Sequence, residues 1–348
     1  MNSVANIILF SGITAASSAV AVELVRRLAL RRRLFDVPNV RSSHTTPVPR
    51  LGGIAFIPVI LLAAVIAAEA TGGLGNEPFW FCALVLIIAL VGLIDDLYSL
   101  PATARLLAQL MTGSGLFYRF YFLHPDKLAM GPLPLGGAFL ISVLWIASLI
   151  NAYNFMDGID GIAALQAVIA GAGWGAIGLS IGSAWTAILG WSVAMGALGF
   201  LALNWSPARI FMGDVGSTAL GFIFAGLPLV GAGSVGPRYG LGRFLAVGAM
   251  LVWPFIFDTA ATLMCRIWRR ENVFKAHRSH LYQRLVISGK SHRFVSLLYG
   301  LMAASGVGLA WTILRGPVID ELATFTVPVL AFGATWLWTA HRERARRD

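Results

Sequence analysis

The chain has 348 residues, 57% hydrophobic and only 12% charged, about half the charged share of a soluble domain. That composition excludes a pair of soluble domains and points to an all-α, polytopic integral membrane protein, one transmembrane domain over residues 1–348. The net charge of +10 invites a nucleic-acid reading, but the placement of the charges argues for a membrane instead, and two cysteines, Cys82 and Cys265, give neither a disulfide framework nor a metal-ligand spacing.

A membrane span needs about 20 mostly apolar residues. Eleven segments qualify, at roughly 4–25, 52–70, 78–94, 102–123, 135–150, 161–182, 184–203, 214–234, 243–264, 293–314 and 321–340. The first has no basic region before it and ends at an arginine cluster, so it reads as a retained span rather than a cleaved signal. The loop after it, "FDVPNVRSSHTTPVPRLGG", offers Arg41, His44 and Arg50. The third span ends on two adjacent carboxylates, Asp95 and Asp96, whose mutual repulsion a divalent cation would relieve. Adjacent residues on a helix point about 100° apart, so one of the pair can face a metal and the other a substrate. The fourth span is the weakest, interrupted by Arg105, Gln109 and Arg119.

After the fifth span comes "NAYNFMDGIDG", with Asn151, Asn154, Asp157 and Asp160 at intervals of three. On one straight helix its two ends would face opposite sides, so the four groups converge only if the chain bends, which Gly158 and Gly161 permit. Spans six and seven form a tight hairpin, and glycines such as Gly171 and Gly175 suit close helix packing in lipid. Asp214 follows span seven in "NWSPARIFMGD". Asp258 lies inside span nine, either as a hydrogen-bonding partner of Thr259 or Thr262 or at the border of a site. The basic segment that follows contains "FKAHRSHLYQRL", with His277, Arg278 and His280.

Lys and Arg crowd the segments after spans one and nine and the C-terminal tail, and with eleven spans these lie on one side, which is then cytoplasmic. The N-terminus is expected outside, the C-terminus inside, and the cytoplasmic loops at about 26–51, 95–101, 151–160, 204–213 and 265–292. The basic loops would also favour anionic lipid. Spans three, five and seven end on that same side, so five aspartates from three loops share one face. Oxygen donors with no Cys or His cluster favour Mg²⁺ or Mn²⁺ over zinc, and acids plus a metal beside Arg, Lys and His suit pyrophosphate chemistry. A cation- or proton-coupled transporter is the alternative, but its acids would sit nearer the bilayer midplane.

Four segments in order, "DVPNVRSSHTTPVPRLGG", "GLIDDLYSLPATARLLAQ", "NAYNFMDGIDGIAA" and "FMGDVGSTALG", resemble the motifs of the polyprenyl-phosphate N-acetylhexosamine-1-phosphate transferases. The likeness covers most of the chain. It implies a UDP-N-acetylhexosamine donor, undecaprenyl phosphate as acceptor, release of UMP, a site facing the cytoplasm from a bacterial inner membrane, and the option of a homodimer. It implies Asp214 as a Mg²⁺ ligand, joined by Asp95 and Asp96, which with His280 form the catalytic set. Asn151, Asn154, Asp157 and Asp160 would line the nucleotide pocket, Phe211 would stack on the uracil near Asn204, and Arg41, His44, His277 and Arg278 would bind substrate. Tyr282 and Gln283 stand where relatives often carry further histidines, which places the chain with the initiators of O-antigen (lipopolysaccharide) or capsule synthesis rather than the peptidoglycan branch.

Overall fold

The computed structural model describes residues 4–36, 47–73, 75–123, 134–235, 240–273, 277–316 and 318–344. These residues are almost entirely helical: α1 (Val4–Arg32), α2 (Gly53–Ala70), α3 (Glu77–Tyr98), α4 (Ala102–Phe117), α5 (Leu135–Met156), α6 (Ile162–Ile181) and α7 (Ala184–Asn204). They continue with α8 (Asp214–Val235), α9 (Leu241–Leu251), α10 (Trp253–Trp268), α11 (Leu281–Ile287), α12 (His292–Arg315) and α13 (Val318–Arg344). A two-residue ribbon pairs β1 (Phe35–Asp36) antiparallel with β2 (Val48–Pro49).

Burial ranks the helices. In α8, 94% of the most apolar stretch is buried within the protein, against 17% in α1, so α8 is the axis and α1 faces outward. Around α8 pack α2, α3, α5 and α9. Lipid supplies no hydrophobic drive between helices, so close backbone approach through small residues does that work. The α6–α7 hairpin shows it: a Cβ on Gly171 would come within 2.8 Å of the Ala194 nitrogen, and one on Gly178 would collide with Ala187. Ser18 on α1 donates to the Gly196 carbonyl at 2.6 Å, which seats α1 on α7.

Each of the eleven expected spans falls on a helix or a helix pair. Among the described residues, eight helices are long and apolar enough to cross a membrane, or nine if a bent pair is one span. The protein is thus a multi-pass membrane protein. The ninth expected span is that bent pair: α9 and α10 meet at 86°. Pro254, in the first turn of α10, lacks an N–H and would clash with the carbonyl four residues back, so the helix restarts there. Helix α4 has 16 residues, short for a span, and continues as a π-helical turn over Tyr118–Phe122.

Candidate active site

The last turn of α3 carries Asp95 and Asp96 on helix rather than on a loop. Ser99 closes the helix in the left-handed region, φ +54°, and its N–H returns to the Asp95 carbonyl. The Asp95 carboxylate then pins the turn into α4, accepting from Leu100 N at 2.7 Å and from Arg105 Nη1 at 2.8 Å. Asp96 points the other way and accepts from Val215 N at 3.1 Å, in the first turn of α8. Gly213 is required there: its φ is +75°, and a Cβ would lie 2.7 Å from Asp96 Oδ2.

Asp214, the first residue of α8, accepts from Asn154 Nδ2 at 2.9 Å and lies 3.9 Å from Arg105 Nη1. Asn154 also donates to Ser217 Oγ. Side chains from α3, α4, α5 and α8 thus meet at one end of the bundle. The expected gathering of distant aspartates is present in the fold, and Arg105, which the sequence marked only as an interruption, is the cation at its centre.

The 151–160 stretch bends as its glycines permit: α5 runs to Met156, and Gly161 turns the chain at φ +78°. Its four polar groups nevertheless diverge. Asn151 turns to α4, where it and Gln109 exchange amide hydrogen bonds at 2.7 and 3.4 Å, so it braces two helices. Asn154 reaches α8. Asp157 sits recessed, with no side-chain hydrogen bond or ion pair among the described residues; burial pushes its carboxyl up to about 7, with the charge of Asp96 adding to the effect. Asp160 is 8% exposed and faces α12 and the 204–213 loop, 3.3 Å from His292 Nδ1 and accepting from Ala208 N at 3.2 Å. Burial opposes the Asp160 charge, but the hydrogen bond and charge of His292 outweigh it, with Ser206 and the Ala208 N–H helping, and hold the carboxyl below its usual range.

The expected pocket-lining role of Asn204 meets a physical obstacle. It is 3% exposed, accepts from Gly161 N and donates to the Ile210 carbonyl, so its amide is spent bridging two backbones. Phe211 N–H donates to Pro49 O, and the Phe211 and Met212 carbonyls accept from Gly52 and Gly53. The segment that follows β2 is thereby stitched to the turn before α8. Arg41 and His44 lie outside the described residues.

Asp258 proves to be an anchor. Wholly buried in α10, it accepts from Leu281 N at 2.8 Å, Tyr282 N at 3.1 Å, Tyr299 Oη at 2.7 Å and Thr262 Oγ1 at 3.2 Å. Its Oδ1 also lies 3.3 Å from His280 Nδ1, which orients that imidazole at the start of α11. Tyr282 donates to the Phe155 carbonyl at 3.0 Å, and a Cβ on Gly158 would overlap its hydroxyl, so the last loop packs directly on the Asp157 turn. His277 stacks beside His280 with ring centres 5.1 Å apart. Burial pulls the His277 imidazole down to about 4, and His280 and Arg266 add to it, so at neutral pH its ring is uncharged. Arg278 is half-buried in the same loop.

Among the described residues no three His, Cys, Asp or Glu side chains form a ready metal cage. Hard oxygens are nevertheless concentrated here: Asp95 and Asp214 converge on one guanidinium, with Asp96 alongside. That donor set fits Mg²⁺, which is commonly held by one or two carboxylates and completed by substrate phosphates and water.

Residues 79–232, which span this cluster, match the family model of glycosyl transferase family 4. The chain is 31% identical over 289 residues to a probable undecaprenyl-phosphate N-acetylglucosaminyl 1-phosphate transferase of Bacillus subtilis, covering 80% of this chain and 77% of that one. It is 30% identical to a decaprenyl-phosphate N-acetylglucosaminephosphotransferase of Mycobacterium leprae, over 88% of this chain and 84% of the relative. A phospho-N-acetylmuramoyl-pentapeptide-transferase of Streptococcus gordonii is 34% identical over 66% of this chain and 70% of its own.

Proposed function

This chain belongs to the family of polyprenyl-phosphate N-acetylhexosamine-1-phosphate transferases, and from that premise we propose that it transfers N-acetylglucosamine-1-phosphate from UDP-N-acetylglucosamine to undecaprenyl phosphate. The observation that carries the reading is the convergence of Asp95, Asp96, Asn154 and Asp214 with Arg105 at one end of the bundle. A charged acceptor head group and a charged donor both need such a place. The choice of sugar follows the names of the Bacillus and Mycobacterium relatives.

An oxygen of the acceptor phosphate attacks the β-phosphorus of the donor, the bond from that phosphorus to the bridging oxygen breaks, and UMP leaves. The product is a lipid-pyrophosphate-linked sugar. Asp214 and Asp95 would hold a Mg²⁺ or Mn²⁺ ion, with Asp96 near, and the ion when bound would neutralise phosphoryl oxygens during transfer. Both oxygens of Asp95 are engaged, by Leu100 N and Arg105, whereas Asp96 uses Oδ2 on Val215 N. Asp96 therefore has the freer oxygen with which to take a proton from the acceptor phosphate. With Nδ1 held by Asp258, the His280 ring in its imidazolium form would donate from Nε2 to a phosphoryl group. We place the enzyme in a bacterial inner membrane with this end toward the cytoplasm, where it would start a cell-envelope polysaccharide such as O-antigen; the O-antigen choice rests on the histidine-poor last loop.

The test is UMP release by the purified protein given UDP-N-acetylglucosamine, undecaprenyl phosphate and Mg²⁺. Asp95→Asn, Asp96→Asn and Asp214→Asn are each expected to lower turnover at least about 100-fold while the protein stays folded in the membrane. No UMP from any UDP-N-acetylhexosamine, or near-full activity in all three variants, would overturn the proposal.

A further inference from the structure

Arg50 stands at the edge of this site and pairs with no described residue. Its Nε is buried and has no hydrogen-bond partner, and its guanidinium makes no ion pair with any described residue. It lies close enough to Asp96 to act on that charge, yet beyond ion-pairing distance. The Nε atoms of Arg266 and Arg278 are enclosed without a hydrogen bond too, but Arg105 is ion-paired to Asp95 and Arg266 to Glu271, and Arg266 also donates to the Asn272 carbonyl.

The backbone under Arg50 is fixed. Pro49 O accepts from Phe211 N at 2.8 Å, Gly52 N donates to Phe211 O at 2.9 Å, and Gly53 N donates to Met212 O at 2.8 Å. Leu51, 5% exposed, is held at φ +78°, a conformation a non-glycine residue adopts only under constraint. A Cβ on Gly52 would come 2.9 Å from the Phe211 carbonyl, and one on Gly53 would meet the backbone of Gly216. The segment is thus clamped to the turn that carries Asp214, and Arg50 rides on the clamp.

An arginine retained only to anchor a membrane face extends its head to water and lipid head groups. Arg50 does so only in part: the residue is half-exposed, but its Nε is enclosed. A buried guanidinium N–H without an acceptor is costly, and native structures leave few such groups. No described residue supplies that acceptor, and the neighbouring carboxylates make sense of a cation that pairs with none of them. We propose that Arg50 is a substrate-binding residue whose guanidinium grips a phosphoryl oxygen, either the acceptor's phosphate or the donor's pyrophosphate. The proposal rests on the transferase reading for its ligands but not for its geometry.

The experiment uses the full-length protein in detergent with Arg50→Gln, which removes the charge, and Arg50→Lys, which keeps the charge but lacks Nε. Direct binding of UDP-N-acetylglucosamine and of undecaprenyl phosphate is measured for each by calorimetry or thermophoresis, alongside KM for both. A lost charge-assisted hydrogen bond should raise Kd and KM about 10- to 100-fold for one of the two ligands, with Lys recovering only part. A rise confined to the nucleotide sugar assigns the pyrophosphate, and a rise confined to the lipid assigns the acceptor phosphate. If Arg50→Gln does not fold, Arg50→Lys alone decides, since it too must weaken one ligand. Unchanged affinity for both ligands, even with a lowered Tm, overturns the proposal and leaves Arg50 as a counter-charge to Asp96. Failure of the wild type to release UMP would sink the transferase reading separately, because the binding measurements do not need turnover.

Discussion

Asp157 carries the charge that the fold accommodates least well. It follows the last residue of α5, faces no hydrogen-bond donor among the described residues, and burial pushes its carboxyl from 3.8 to about 7. Between those values the folded protein holds a proton that the unfolded chain has released. Stability contributed by this group therefore falls as pH rises from about 4 to about 7 and stays low above that. Asp157→Asn imitates the protonated form. It should raise stability relative to wild type by an amount that grows from pH 5 to pH 8, reaching on the order of 3 kcal/mol. Thermal unfolding at the two pH values reads this directly. An equal change at both would show that Asp157 is paired or solvated after all. The position of this aspartate was legible in the motif spacing, but its environment was not, because burial depends on how α5, α8 and α11 meet. The same gap hid the contact between His292 and Asp160. It also separated Asn204, which read as a pocket residue, from its work between two backbones. Residue type gives chemical capacity; only packing says whether that capacity is already used.

Among the elements, the N-terminus of α8 sets the site, and glycines on two neighbours hold it in place. Gly92 on α3 faces Asp214: an added Cβ would lie 2.6 Å from the Asp214 carbonyl oxygen. That neighbour is backbone, so it cannot swing aside as a side-chain tip can. Gly92→Ala must separate α3 from α8, and Asp95 and Asp96 move away from Asp214 with it. A displacement near 1 Å at reacting groups costs about 100-fold in rate, so UMP release should fall by at least about 10-fold with little loss of membrane-inserted protein. Gly136→Ala, on α5 with nothing within 4 Å of the added carbon, is the matched control and should behave as wild type. Equal activities for the two variants would mean that the α3–α8 contact does not place the carboxylates. Helices α1, α2, α3, α5–α8 and α12 could be read from hydropathy alone, since lipid demands long apolar stretches. The bend at Pro254 escaped that reading because an apolar window averages over a break. The shortness of α4 escaped it too, since the π-helical turn prolongs the apolar run without adding regular helix.

At the scale of the whole molecule, the proposed reaction requires the end of the bundle that holds the carboxylates to face the compartment that holds the donor. Helix α3 runs from Glu77 to Tyr98 and ends at the site, so the turn at Thr71, before its start, lies at the opposite end. Helix α6 leaves the site after Gly161 and rises about 30 Å over 20 residues, which puts Ser180 at that same far end. Ser99, just beyond Asp95 and Asp96, is at the near end. All three are exposed, so each can carry a reporter cysteine once Cys82 and Cys265 are replaced. By the positive-inside rule the distribution of Lys and Arg would put the near end in the cytoplasm. An impermeant thiol reagent should then label Thr71→Cys and Ser180→Cys from outside intact cells, and Ser99→Cys only in inverted vesicles. The converse pattern would reverse the orientation and leave the site without access to a cytoplasmic nucleotide sugar. Labelling of all three from one side would be worse for the proposal, because the two ends of α3 would then not be separated by a bilayer. The charge bias and the gathering of aspartates are independent features of the chain. Their agreement on one end is why a membrane enzyme working on a lipid head group accounts for the molecule better than an ion path through its middle.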